Sequence, residues 1–241
     1  MLKLDRAKLS LIKKELFDPN RQGYFLIENY LSTSEVQIAL AEYKQSLIDS
    51  KPFPGSNFIY KGCPTYLSSV GGKKTSYFFP WTNDQKYKKL TEIFDIIHRL
   101  RDELEGSRYW RNIDRICTMR VVESRNHYED IPVHSDHIDS TNENQRLQCS
   151  ISLSQIGRDY PLGTGIYFES DGHRIFPFEH VKSSVGALLI FRYAKPHGVI
   201  ESFESDINQT GFLRILFPES QLNKIPNFFI RIINLIKSTL N

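Results

Sequence analysis

Three residues in the second half of the chain have the types and spacing of a metal centre. Val133-His134-Ser135-Asp136 sets an imidazole and a carboxylate two positions apart. In an extended strand such residues project to the same face, so one strand end would aim both groups at a common point. His197 follows 61 positions after Asp136, just beyond the apolar run GALLIF. Two imidazoles and one carboxylate on one face make the triad that holds non-haem iron(II), with positions left open for a chelating cosubstrate and for O2. A histidine and an aspartate at this spacing are also what a hydrogen-bonded surface pair looks like, so order and further elements must decide.

The fourth candidate is Arg214, in GFLRILF. A guanidinium inside an apolar β-run needs an anion, and its planar fork matches a carboxylate bidentately. The anion is either a ligand or an internal acid; an edge strand with the arginine facing water is the third reading. Arg120 and Arg146 are read either as meeting an acidic group of a substrate or as solvated or salt-bridged side chains. His137 and Asp139 adjoin the HxD pair and, in a strand, face away from it. His98 falls in a helical pattern and His173 in a turn, so neither is assigned to the metal.

The elements that must position these groups form three stretches. Residues 3–17 repeat apolar positions at helical spacing, and GYFLIENYL (23–31) reads as a strand. Ser32 followed by Glu35 is a capping box at the start of a second helix. Residues 51–81, rich in Gly, Pro, Ser and aromatics, read as long loops with one or two short strands, a candidate for part of a substrate lid. Tyr77, Phe78, Phe79 and Trp81 either line a pocket or pack in the core. Residues 84–104 carry Leu90, Ile93, Ile96, Ile97 and Leu100 on one helical face.

From 112 to 217 short β-rich runs alternate with turns: DRICTMRVV, LQCSISLS, GTGIYFES, HRIFPF, GALLIFR and GFLRILF. That texture predicts a mainly β chain with flanking helices, its core a barrel or double-sheet jelly roll. The expected organisation is one domain: a helical N-terminal part with a lead-in strand to residue 111, the jelly-roll core over 112–217, and a C-terminal helix over 218–241. In that last helix Pro226 stands near the start, and Phe228, Phe229, Ile232, Ile233, Leu235 and Ile236 give an apolar face. Such a face packs on the barrel or on a second copy of the chain, as in a homodimer.

Composition excludes several classes. A net charge of +3 over 241 residues, without a basic run interleaved with aromatics, does not suit nucleic acid. No run of 18 apolar residues offers a membrane span, and the N-terminus lacks the uninterrupted apolar stretch of a signal peptide. Three dispersed cysteines without a CxxC point to reduced thiols and a cytoplasmic location.

With these motifs in place, residues 117–217 resemble the Fe(II)/2-oxoglutarate-dependent dioxygenases. The matching elements are HSD (134–136), RLQCSISLS (146–154), GTGIYF (163–168), GALLIF (186–191), HGV (197–199) and Arg214. GYFLIENYLSTSEV is similar to the start of the phytanoyl-hydroxylase-like and prolyl-hydroxylase-like branches. The resemblance implies a double-stranded β-helix, or cupin-like jelly roll. It implies His134, Asp136 and His197 as catalytic iron ligands and Arg214 as the residue that binds the distal carboxylate of 2-oxoglutarate. Two departures stand out. Arg214 comes 17 positions after His197, later than is usual, and Arg214-Ile215-Leu216 replaces the common Arg-x-Ser. The missing hydroxyl would then come from Ser150, Ser152 or Tyr167.

The family chemistry couples decarboxylation of 2-oxoglutarate to oxidation of an unactivated C–H bond. With Asp136 present, where related halogenases have Gly or Ala, hydroxylation is the expected outcome. The expected substrate is a small polar metabolite, a free amino acid or natural-product intermediate. A prolyl-hydroxylase-like enzyme acting on a protein side chain and a non-redox cupin-like binding protein are the alternatives.

Overall fold

The structure is a computed structural model and describes residues 2–52, 65–78, 86–106, 115–117, 119–136, 146–204, 206 and 208–221. Three helices form where local signals place them. Helix α1 (Arg6–Phe17) starts at Asp5, whose carboxylate accepts from Lys8 N, and it buries Leu9, Ile12 and Leu16. Helix α2 (Thr33–Asp49) has the capping box expected of Ser32 and Glu35. Ser32 N donates to Glu35 Oε2 at 3.0 Å while Glu35 N reaches back to the serine hydroxyl. Helix α3 (Lys88–Glu105) buries Leu90, Ile93, Phe94, Ile97, Leu100 and Leu104, and Gly106 closes it in the left-handed conformation.

The strands are β1 (Tyr24–Ile27), β2 (Lys51–Pro52), β3 (Tyr66–Val70), β4 (Lys73–Phe78), β5 (Arg115–Cys117), β6 (Met119–Ser124) and β7 (Ile131–His134). They continue with β8 (Leu147–Ser152), β9 (Gly165–Ser170), β10 (His173–Ile175), β11 (Leu188–Arg192), β12 (His197–Ile200), β13 (Phe212–Leu216) and β14 (Glu219–Gln221). Eight strands form a large sheet in the order β1-β11-β8-β13-β6-β4-β3-β2, four form a small sheet in the order β10-β9-β12-β7, and β14 pairs with β5. From β6 to β13 the chain passes back and forth between the two sheets, with β9 and β10 as the hairpin at the turning point. This alternation is the expected double-stranded β-helix, and it makes the chain mainly β.

Alternation along the strands separates two cores. Leu147, Cys149, Ile151, Leu188, Ile190, Leu213 and Ile215 meet the three helices on the outer face of the large sheet. Leu189, Phe191 and Phe212 point the other way, to Ile166, Phe168 and Val199 of the small sheet. Both clusters are buried, so β1 (YFLI) and the LLIF of β11, covered on both faces, read as continuous apolar runs.

The sheet reaches further into the N-terminal half than the sequence texture indicates. Strands β1 to β4 all precede residue 112, and β3 and β4 form a hairpin through Gly71 and Gly72 inside the stretch expected to be mostly loop. The run HRIFPF splits into β10 and a 3-10 turn, Pro177–His180. The 222–241 tail, residues 53–64 and 79–81 of the lid candidate (Phe79 and Trp81 among them), His137 and Asp139 lie outside the described residues. No helix of the described residues is long and apolar enough to cross a membrane.

Candidate metal centre

His197 opens β12, and its ring faces the interior against Phe191 (ring centroids 4.7 Å apart) and near Phe168. Directly across the ladder stands His134, the last residue of β7, with its ring 4.4 Å from that of His197. The pairing has a bulge: Val199 opposes Ile131, so two steps along β12 correspond to three along β7. Without the extra residue Ile131 and His134 would face opposite sides; with it Ile131 packs on the interior core and His134 also turns inward.

Asp136 lies just past the strand end rather than within it. Its backbone N–H donates to Tyr193 O at 3.0 Å, and Ser135 Oγ donates to Ala194 O. Those two bonds tie the segment to the turn between β11 and β12, so the turn that delivers His197 also fixes Asp136. The result is a tight constellation: His134 Nε2 lies 3.7 Å from Asp136 Oδ1 and His197 Nε2 lies 3.8 Å from Asp136 Oδ2. One donor atom from each of the three residues falls within 4.8 Å of the others.

The imidazoles are oriented for a metal. Nδ1 of His134 is 2.9 Å from Pro132 O, and Nδ1 of His197 is 3.0 Å from Lys195 O. A carbonyl only accepts, so each Nδ1 carries the proton and each Nε2 presents a lone pair toward Asp136. Burial lowers the pKa of His197 and outweighs the opposing pull of Asp136, which favours the neutral, ligating form. The donor set therefore fits a divalent first-row ion such as iron(II).

Arg214 lies on the inner face, since Leu213 and Ile215 belong to the helix-facing core. The internal acid that the sequence left open is Glu201, just after β12. Its carboxylate takes Arg214 Nη2 and Lys73 Nζ, each at 2.5 Å, and accepts from Ser124 Oγ at 2.9 Å. Burial alone would raise the carboxyl pKa, but Arg214 and Lys73 outweigh it and hold it down to about 2. Even so, Nε and Nη1 of Arg214 are buried without a hydrogen-bond partner, as is Ser150 Oγ on β8. Buried unpartnered donors on one inner face are the feature expected where a carboxylate docks.

The remaining sequence candidates fall in different places. Ser152 is the cross-strand neighbour of Arg214 on the inner face, with its hydroxyl donated to Ser154 O. Tyr167 is a correction. It pairs with Gly198 on the face of the small sheet opposite His197, packed against Phe176 and beneath Arg174, so its hydroxyl does not line the interior. The physical reason is strand parity: Ile166 and Phe168 take the inner face, and the residue between them cannot. Arg146 is buried against Glu105 of α3 at 3.1 Å, the structural reading of that residue. His98 is buried on α3 beside Phe94, remote in type from a ligand set. Glu201 and Lys73 were not singled out from the sequence; an acid just after the HGV run was the available signal.

No family model matches this sequence, and no curated protein matches it. Solved structures do match in fold. The non-haem α-ketoglutarate-dependent epimerase SnoN from nogalamycin biosynthesis superposes with a TM-score of 0.56 at 15% identity, over 90% of this chain and 84% of that one. AviO1 from Streptomyces viridochromogenes gives 0.54 at 12% identity, over 92% and 96%. A prolyl hydroxylase from Trichoplax adhaerens, solved with a hypoxia-inducible-factor peptide fragment, gives 0.53 at 13%, over 92% and 95%. At these identities the likeness is one of fold.

Proposed function

We propose that the chain is an Fe(II)- and 2-oxoglutarate-dependent oxygenase that hydroxylates an unactivated C–H bond of a small polar metabolite, a free amino acid or natural-product intermediate. The observation that carries this reading is the gathering of His134, Asp136 and His197 donor atoms within 4.8 Å. It stands on the inner face of a jelly roll whose next strand bears Arg214 with two unpartnered nitrogens. SnoN, which shares the fold, has been solved with Fe3+ and α-ketoglutarate.

His134, Asp136 and His197 would hold the iron, and Arg214 Nε and Nη1, with Ser150 or Ser152, would receive the distal carboxylate of 2-oxoglutarate. When bound there, iron and cosubstrate supply oxygen activation coupled to decarboxylation of 2-oxoglutarate to succinate and CO2. The protein's own contribution is positioning and exclusion of water. The Pro132 and Lys195 carbonyls hold the two imidazoles in the ligating tautomer. Phe191 and Phe168 wall the His197 side of the centre with apolar surface. Glu201 fixes one edge of the Arg214 fork, so the other edge is already oriented when a carboxylate arrives.

A second reading is a protein side-chain hydroxylase, favoured by the prolyl hydroxylase solved with a peptide among the fold neighbours. A non-redox cupin-like binder needs no carboxylate clamp, and the buried donors on Arg214 argue against it. The test is succinate formation from 2-oxoglutarate with Fe(II), ascorbate and a panel of free amino acids, small metabolites and proline-containing peptides. Stimulation by a small metabolite supports the main reading, stimulation by peptides alone supports the second, and no succinate under any condition refutes both.

A further inference from the structure

Among the described residues, Arg120 on the inner wall has no counter-charge. Met119 and Val121 of β6 belong to the helix-facing core, so Arg120 between them points into the roll. Its guanidinium lies over the ring of Tyr77, its cross-strand neighbour on β4, at 5.2 Å. Its Nε is buried with no hydrogen-bond partner, and no acid among the described residues pairs with it. The buried arginines Arg101 and Arg146 also leave Nε unpartnered, but each commits Nη1, to Phe217 O and to the Glu105 carboxylate respectively, whereas no nitrogen of Arg120 has such a partner among the described residues.

Register fixes its level in the roll. Arg120 pairs with Leu216, which pairs with Ser150, whereas Arg214 pairs with Val122 and Ser152. The metal end is where β8 begins and β11 ends, because Asp136 N bonds to Tyr193 O there and Phe191 packs on His197. Arg120 therefore stands one inner-face step nearer the metal end than Arg214, about 6.8 Å along the strand. A cosubstrate carboxylate seated on Arg214 occupies the deeper level and leaves Arg120 to another anion.

We infer that Arg120, oriented by Tyr77, binds a carboxylate of the primary substrate. The inference rests on the proposed oxygenase reading and narrows it to substrates with a free acid, such as unblocked amino acids, against residues embedded in a peptide. Arginine suits this task because its outer edge can take a carboxylate bidentately while its flat face stays on the tyrosine ring.

The test uses the full chain with Fe(II) and saturating 2-oxoglutarate under anaerobic conditions. Thermal shift and calorimetric titration are run with the free amino acids, acetate and the matching carboxamides. Ligand binding to the native state raises Tm, so at least one carboxylate is expected to raise it while its carboxamide does not. Arg120→Gln should lose that response by tenfold or more in Kd, and Arg120→Lys, which keeps the charge and protects against a folding artefact, should recover part of it. The 2-oxoglutarate Kd should stay within twofold in both variants. Equal response to acids and carboxamides, no acid response in the wild type, or loss of 2-oxoglutarate affinity in Arg120→Gln would each overturn the inference. Absence of any 2-oxoglutarate binding in the wild type would instead remove the oxygenase reading on which it stands.

Discussion

Arg214 and Glu201 meet inside the roll, Nη2 to Oε1 at 2.5 Å, with the two side chains only 2% and 0% exposed. A buried pair of this kind is neutral by itself, and a neutral pair attracts a carboxylate weakly. Lys73 changes the balance, because its ammonium reaches the other oxygen of Glu201 from a partly open position. The cluster of two cations and one anion keeps one positive charge for a ligand.

The first prediction concerns this cluster and pH. Glu201 is held at about 2, below its ordinary 4.5, so folding is favoured by its ionised form. That contribution is fully present above about pH 4.5 and is lost as pH falls through the folded value, and it is on the order of 3 kcal/mol. Glu201→Gln should lower stability by a comparable amount at pH 7. The gap between variant and wild type in urea melts should close between pH 4.5 and 2. A gap that stays constant with pH would show that the carboxylate charge is not what matters.

Arg214→Ala should weaken 2-oxoglutarate binding by roughly tenfold to a hundredfold, since a charge-assisted fork to a carboxylate is worth roughly 1.5–3 kcal/mol. Iron affinity should hold, because Arg214 is not in the donor set. Arg214→Lys should restore only part of the loss. Anaerobic titration of each variant with metal and then cosubstrate separates the two affinities, and unchanged 2-oxoglutarate affinity in Arg214→Ala would move the clamp to another residue.

His134→Ala should abolish iron binding and succinate formation with little change in Tm, because its side chain is 38% exposed and fills no core. His197→Ala should also abolish both, at a larger cost in stability, since its ring packs on Phe191. Iron content by elemental analysis alongside a thermal melt checks the contrast. A His134→Ala protein that retains one iron per chain would refute the triad.

Gly198 sits between His197 of the candidate triad and the core residue Val199, and a Cβ there would lie 2.5 Å from the Tyr167 ring. Gly198→Ala should therefore destabilise the fold by about 1–3 kcal/mol and weaken iron binding by shifting the start of β12. Gly198→Ala combined with Tyr167→Phe removes only one of the clashing atoms, so it should recover little, whereas Tyr167→Ala should relieve the clash. Melting curves of the single and double variants decide the point.

Much of this was legible in the chain. The capping box at Ser32 and Glu35, the apolar face of α3 and the β-rich texture after residue 112 each reflect local periodicity, which a sequence displays directly. The triad was legible because its residue types are unusual and its members flank recognisable strands. What escaped depended on pairing. Tyr167 was assigned to the interior because the face of a strand is a matter of register, and a one-residue choice inverts it. Glu201 and Lys73 lie 128 positions apart and meet only through the stacking of β4 beneath the end of β12. The hairpin of β3 and β4 was partly obscured because KKTSYF carries polar side chains on a face that borders the interior, where an apolar signal was sought.

The extra residue in β7 gives the centre an arithmetic character. Ile131 and His134 both turn inward only because an odd separation is converted to an even one by the bulge opposite His197 and Val199. Shortening the Pro132–Val133 segment by a single residue would restore a regular ladder, and a perfectly paired sheet could then no longer present His134 and Ile131 to the interior together. Backbone regularity and metal capture are thus in competition along these four residues, and here the flaw in the ladder is the part that makes a centre possible.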